Sequence, residues 1–232
     1  MNIAIILSAG IGSRMKNDLP KQFIEIDNKP IFIYTLEKFI NQVDKIILVI
    51  NTDFKDLYNY YLDKFNIKNI NLVNGGSTRQ QSVYNALSSL NCQDNDIILI
   101  HDGARPLIDK NIIKQNIEIC KSTNNVAVTV IKLVDTIINK DYNLLDRDNL
   151  YAVQTPQTFP YKLIMFLHNN AKKNNIVNVS DDAQLAKKQG YKIEYVMGSR
   201  LNIKITEPDD LNFFKLLKVG DKSVEINKNK CS

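Results

Sequence analysis

At 232 residues, with 44% hydrophobic and 24% charged side chains, the chain has the make-up of one soluble globular domain with a substantial core. Its net charge of +5 is mild and no basic run with interleaved aromatics marks a nucleic-acid face, so the expected partner is a small anionic substrate rather than nucleic acid. No apolar run is long enough to span a bilayer, and the first strand-like run begins at Asn2, leaving no room for a targeting peptide; no membrane partner and a cytoplasmic location are expected. Cys92, Cys120 and Cys231 are odd in number and far apart, which disfavours a disulfide framework or a zinc site and leaves them as reduced bystanders.

The chain opens on Ile3-Ala4-Ile5-Ile6-Leu7, a short branched apolar run that breaks into Ser8-Ala9-Gly10-Ile11-Gly12-Ser13-Arg14-Met15 and then Pro20-Lys21-Gln22-Phe23. This pattern predicts a buried strand entering a tight loop. Gly10 and Gly12 let backbone N–H groups approach phosphate oxygens, and Arg14 and Lys21 add full positive charge, so the loop reads as a triphosphate cradle. Two familiar glycine loops are excluded by the letters: a dinucleotide fingerprint needs a third glycine where Met15 stands, and a P-loop needs Gly-Lys-Ser/Thr.

Further along, apolar runs predict strands at residues 45–50, 70–73, 96–100, 126–130 and 192–196. Three- and four-residue apolar spacing predicts helices between them, as at 31–40 and 78–90. The alternation argues for an α/β fold with a mostly parallel sheet flanked by helices on both faces. Ligands of such sheets bind beyond the carboxyl ends of strands, where the polar clusters 8–21, 75–79 and 101–106 fall. Residues 137–145 have strand-like ends around an Asn/Asp-rich turn and read as an inserted hairpin, whose open edges suit cover by a second subunit. The lysine-rich end, 220–232, reads as a frayed tail.

Beyond the loop at 8–21, two of these clusters carry chemistry. Gly75-Gly76-Ser77-Thr78-Arg79-Gln80-Gln81-Ser82 opens a helix with close-approach glycines and short donors for a flat base or a phosphate, although a capped helix start explains the same letters. Asp102 stands at a strand end facing the cradle, a natural place for a magnesium ligand, and Arg105 offers a planar fork to phosphate; a local ion pair between the two is the plainer alternative. His101 flanks a buried strand and is read as structural. Ser180-Asp181-Asp182-Ala183, with Gly190 following, reads as a helix N-cap, acidic first turn and terminating glycine. Lys204 is expected on a short alternating strand over 202–206.

The string Ala9-Gly10-x-Gly12-x-Arg14-Met15 with Pro20-Lys21-Gln22-Phe23 resembles the signature of sugar-phosphate cytidylyltransferases, specifically the 2-C-methyl-D-erythritol 4-phosphate cytidylyltransferase family. Six ordered motifs carry the resemblance to about Leu217, with Ser8 in place of the usual alanine and Ser180 in place of threonine. It implies a Rossmann-like nucleotidyltransferase fold in one domain, 1–218, with a dimerisation hairpin arm at 136–154 and a flexible tail at 219–232. It implies CMP transfer from CTP to 2-C-methyl-D-erythritol 4-phosphate with magnesium. Arg14, Lys21 and Lys204 would be catalytic, while Ser8, Ala9, Gly10, Gly12, Gly76, Ser77 and Ser82 would bind CTP. Asp102, Arg105, Thr136, Arg147 and Thr155 would bind the polyol phosphate, with Asp102 also on the metal and with Thr136 and Arg147 reaching across a homodimer. Ribitol-5-phosphate cytidylyltransferases share most of these motifs, and a catalytically silent nucleotide-sensing protein on the same fold is the alternative of another class.

Overall fold

The computed structural model describes residues 1–10, 19–177 and 179–228, the last ten of these by backbone alone. Gly12 and Arg14, both assigned to the cradle, lie outside the described residues, as does Cys231. In chain order the elements are β1 (Asn2–Leu7), a 3-10 turn (Lys21–Phe23), the miniature hairpin β2 (Glu25–Ile26) and β3 (Lys29–Pro30), α1 (Ile31–Phe39), β4 (Lys45–Ile50) and α2 (Lys55–Lys64). Then come β5 (Ile70–Asn74), α3 (Arg79–Ser88), β6 (Ile97–Asp102), α4 (Lys110–Thr123) and β7 (Val126–Lys132). The second hairpin, β8 (Ile137–Ile138) with β9 (Leu144–Leu145), precedes β10 (Tyr151–Pro160), α5 (Tyr161–Lys173), α6 (Ala183–Lys188), β11 (Ile193–Met197) and α7 (Pro208–Lys228).

Seven strands form one sheet in the order β11-β7-β10-β6-β1-β4-β5. β1 pairs in parallel with both β4 and β6, β4 with β5, and β7 with β11, whereas β10 runs antiparallel between β6 and β7. Central strands of this kind are covered on both faces, which is why β1, β4 and β6 are written with continuous apolar stretches, Ile3–Leu7, Ile46–Ile50 and Ile97–Ile100, rather than as alternating patterns. On one face Ala4, Ile6, Leu48 and Leu99 pack with Phe32, Leu36 and Phe39 of α1, Tyr58 of α2 and Ile113 of α4. On the other, Ile3, Ile5, Val49 and Ile100 pack with Val83 and Leu87 of α3, Leu167 of α5 and Leu185 of α6. A smaller cluster of Ile26, Ile31, Tyr34, Ile205 and Phe214 seats α7 and the segment before it against α1.

The structure departs from the sequence-based expectations in four places. The third central strand reaches Asp102, so His101 and Asp102 belong to β6 rather than to the loop after it. Residues 151–160, of which 151–154 were expected in the hairpin arm and the rest in no strand, form the longest strand of the sheet; two prolines and a polar middle hide it, and the register shifts between Val153 and Gln157 around Pro156. The paired part of the hairpin is correspondingly short, with Asn139 closing its turn by accepting from the N–H groups of Asp141 and Asn143. Helical backbone continues to Lys228, so residues 219–228 of the expected tail extend α7.

Two smaller readings also change. Ser180 is not the cap of α6: the Asp181 carboxylate accepts from the Gln184 N–H at 3.0 Å, and the Ser180 hydroxyl takes the Gln184 side-chain amide instead. Residues 202–206 form no strand; the segment is irregular and attaches through the Ile205 N–H to the Ala104 carbonyl at 2.9 Å. Cys92 and Cys120 are free thiols, and burial pushes the Cys120 thiol up to about 12. Among the described residues no helix is long and apolar enough to cross a membrane.

His101 is fully buried in β6, with Nδ1 3.0 Å from the Thr155 hydroxyl and Nε2 3.3 Å from the Arg105 carbonyl. A carbonyl only accepts, so Nε2 carries the proton and Nδ1 accepts from Thr155. Burial pushes the imidazole down from 6.5 to about 4. The folded chain therefore refuses a proton that the unfolded chain takes up below 6.5, so this stabilisation is complete above 6.5 and is lost as the pH falls towards 4. Denaturant titrations across that window are expected to show a fall of up to roughly 3 kcal/mol, flattened in His101→Gln. Parallel pH profiles for the two proteins would refute this assignment.

Candidate active site

The loops beyond the carboxyl ends of β1, β4, β5 and β6 enclose a cleft of about 560 Å³. Leu7, Ser8, Ala9, Gly10, Lys21, Asn51, Thr52, Gly75, Gly76, Ser77, Thr78, Arg79, Ser82, Asp102, Gly103 and Lys204 are among its lining residues. Two glycines are required by closeness rather than by torsion. A Cβ at Gly103 would stand 2.8 Å from the Leu7 carbonyl oxygen, and one at Gly75 would stand 2.6 Å from the Ala9 Cβ. Both extend the sheet past its strands, since the Gly103 N–H donates to Leu7 and the Gly75 N–H to Ile50.

Of the residues expected to bind CTP, Ser8, Ala9, Gly10, Gly76, Ser77 and Ser82 all come to the cleft. Their hydroxyls, however, are engaged with the protein. Ser82 Oγ donates to the Thr78 carbonyl and accepts from the Gly76 N–H, and Ser77 Oγ donates to Gln81 Oε1. Ser8 lines the cleft, and its Oγ lies 3.0 Å from the buried Tyr58 hydroxyl. These serines brace the loops that line the cleft. Thr78 caps α3 by accepting from the Gln81 N–H, so this helix starts at the cleft wall with its positive dipole end there.

Asp102 is the electrostatic centre. Lys204 Nζ lies 3.0 Å from Asp102 Oδ2, and Arg105 Nε lies 3.4 Å from the same oxygen. Burial alone would raise this carboxyl, but Lys204, Arg79 and Arg105 outweigh it and hold the group well below the usual carboxylate range. The cations are themselves anchored. Arg105 donates to the Asn202 carbonyl at 2.7 Å, and Lys21 Nζ to the Ile205 carbonyl at 2.7 Å. Arg79 pairs at 2.6 Å with Asp182, a fully buried carboxylate that also meets His168 Nε2 at 3.0 Å. Arg79 was not among the expected site residues, although its place in the Gly-Gly-x-x-Arg string was a signal for it. Asn51 and Thr52 carried no such signal.

Thr155 is buried beside the cleft, where its hydroxyl accepts from the Asp102 N–H at 3.1 Å. The string Gln154-Thr155-Pro156-Gln157 around it acts as scaffold. Gln154 Oε1 accepts from the fully buried Asn202 amide, and Gln157 Oε1 accepts from the Asp182 and Ala183 N–H groups. Thr136 and Arg147 do not join these residues: both are exposed on the hairpin arm, away from the cleft of their own chain, and Arg147 donates to the Val134 carbonyl. For a metal, Asp102 is the carboxylate at hand; no group of three or more His, Cys, Asp or Glu is gathered among the described residues. One carboxylate fits magnesium where phosphate oxygens and water complete its shell.

A cleft beyond parallel strand ends, walled by glycine loops and fixed cations, suits an anionic nucleotide, and comparison with known proteins agrees. The family model described as IspD, 2-C-methyl-D-erythritol 4-phosphate cytidylyltransferase, matches residues 2–217. A Clostridioides difficile protein named 2-C-methyl-D-erythritol 4-phosphate cytidylyltransferase is 40% identical over 98% of this chain and 98% of its own length. A Vibrio parahaemolyticus protein named ribitol-5-phosphate cytidylyltransferase is 38% identical over 94% of this chain and 95% of its own. The crystal structure of the Francisella tularensis 2-C-methyl-D-erythritol 4-phosphate cytidylyltransferase superposes with a TM-score of 0.80 at 33% identity, covering 93% of this chain and 98% of that one. The match runs through every strand that builds the cleft, and the chain belongs to the 2-C-methyl-D-erythritol 4-phosphate cytidylyltransferase family.

Proposed function

We propose that this enzyme transfers CMP from CTP to 2-C-methyl-D-erythritol 4-phosphate, releasing pyrophosphate. The observation that carries the reading is the set of anchored cations, Lys21, Lys204 and Arg79, around one glycine-walled cleft in a chain of this family. An oxygen of the phosphate monoester attacks the α-phosphorus of CTP, a new P–O bond forms, and the bond to the β-phosphate oxygen breaks. The second pKa of a phosphate monoester is about 6, so the nucleophile is already ionised at neutral pH and no general base is needed. What the protein must do is hold two anions together and neutralise the charge that gathers on the α-phosphate and the leaving group.

In this reading the backbone of Ser8, Ala9, Gly10 and Gly12 cradles the triphosphate, with Arg14, Lys21 and Lys204 supplying charge. Gly76, Ser77 and Ser82 form the loop against the base. Arg105 and Asp102 orient the polyol phosphate, and Thr155, expected on that substrate, acts behind them: its hydroxyl donates to His101 and accepts from the Asp102 N–H, which fixes the end of β6. Asp102 would also hold magnesium, which when bound adds positive charge to the phosphates. Lys21→Ala and Lys204→Ala are each expected to lower kcat by about two orders of magnitude or more. Pyrophosphate release under steady-state conditions measures this, and near-normal turnover in either variant would remove that lysine from the machinery.

The kinship with a ribitol-phosphate enzyme is a specific reason to test the acceptor. Incubation with CTP, magnesium and each polyol phosphate separately is expected to release pyrophosphate with 2-C-methyl-D-erythritol 4-phosphate. Turnover with ribitol 5-phosphate alone would reassign the substrate, and none with either would overturn the reading.

We further propose that the enzyme works in the cytoplasm as a homodimer in which Thr136 and Arg147 serve the partner's polyol-phosphate site. The arm is solvent-facing and apolar at once, with Leu144 72% and Tyr142 81% exposed. Lys21→Ala and Arg147→Ala should each be inactive, yet a purified heterodimer of the two should recover activity, because one of its two sites has both residues intact. A verified heterodimer no more active than its parents would show that Arg147 serves its own subunit or none.

A further inference from the structure

The glycine loop leaves the sheet at Ser8, whose N–H still belongs to the ladder, donating to Val49 at 2.9 Å. Its carbonyl does not point to another strand. It accepts from the Tyr58 hydroxyl at 2.6 Å and from Gln22 Nε2 at 2.7 Å, and Gln22 Nε2 also stands 3.2 Å from the Tyr58 oxygen. With the Ser8 hydroxyl 3.0 Å away as well, the phenol has a complete set of partners: it donates to the Ser8 carbonyl and accepts from Gln22 and Ser8 Oγ. All three side chains are buried, at 0% exposure for Tyr58, 3% for Gln22 and 4% for Ser8. Burial also pushes the Tyr58 phenol up to about 12, so it remains a donor at any working pH.

Tyr58 itself does not line the cleft, whereas Ser8, Lys21 and Gln22 do. Its ring is fixed independently of its hydroxyl, packed 4.7 Å from Phe23 and 5.0 Å from Phe32 between ring centroids. The hydroxyl thus ties together two pieces of chain that are separate in sequence: the exit of β1, where the peptide plane of the Ser8 carbonyl also fixes the direction of the Ala9 N–H, and the turn that carries Lys21. We propose, resting on the reading of the cleft as a CTP site, that Tyr58 is a positioning residue for the nucleotide. Through the Ser8 carbonyl and Gln22 it holds the β1 exit and the Lys21 turn in register.

The test uses Tyr58→Phe, which keeps the packed ring and removes only the hydroxyl. The intact protein is titrated with CTP in magnesium chloride by calorimetry, and KM is measured for CTP and for the polyol phosphate. Loss of one buried hydrogen bond is expected to weaken CTP binding about five- to tenfold, with KM for the polyol phosphate unchanged. A merely structural role would move both substrates together or neither. If Tyr58→Phe does not fold, Gln22→Leu, which removes the other donor to the Ser8 carbonyl, is expected to give the same selective weakening. Wild-type protein that binds no CTP would overturn the nucleotide reading and this proposal with it. Wild-type binding matched by the variant, or equal weakening for both substrates, would overturn the proposal alone.

Discussion

Burying a carboxylate at the end of a central strand obliges the chain to bring cations to it, because an unpaired charge in that position is costly. Asp102 stands at the end of β6, and the groups that compensate it are Arg105 just beyond the strand and, from distant parts of the chain, Arg79 at the start of α3 and Lys204 before α7. Each brings its own attachments. Arg105 grips Asn202, Asn202 grips Thr155 and Gln154, and Lys21 grips Ile205. The irregular segment 202–206 is therefore a cleft wall without being a strand, held by side chains from both sides of the site.

This arrangement has a chemical use. Cations tethered to carbonyls and carboxylates stand in place before any anion arrives, so little reorganisation is needed when charge develops on a transferring phosphate. Arg79 is held by Asp182, a carboxylate that also meets His168 and whose N–H donates to Gln157. The polar strings of the sequence are largely the fasteners of this array and less its reactive surface, as the internally bonded Ser77 and Ser82 illustrate.

The central strands were legible because covering both faces of a sheet demands continuous apolar stretches, as in β1 and β6. The same logic placed the cleft, since three polar clusters directly follow such runs. β10 was illegible for a physical reason: its middle is polar because Gln154, Thr155 and Gln157 bond sideways to neighbouring segments, which erases both apolar signatures of a strand. Lys204 was found as a residue but set in the wrong kind of backbone, because alternation in 202–206 reflects Asn202 and Ile205 being buried separately by other elements. The bond between Ser8 and Tyr58 was not legible, for the two lie fifty residues apart and nothing local announces it.

The placement of β10 also orders how the sheet can be assembled. β1, β4, β5 and β6 pair among themselves, so the first half of the sheet is complete once residue 102 has been made. Among the described residues β7 pairs with β10 and β11, both of which come later in the chain, and with no earlier strand. Its apolar run, Val126 to Val130, has no strand to join when it leaves the ribosome and must wait for β10, which docks on β6 with one edge and receives β7 on the other. A chain cut anywhere between residues 132 and 151 would keep a buried-type strand with no neighbour on either side, and such a fragment is a candidate for aggregation rather than for a smaller working enzyme.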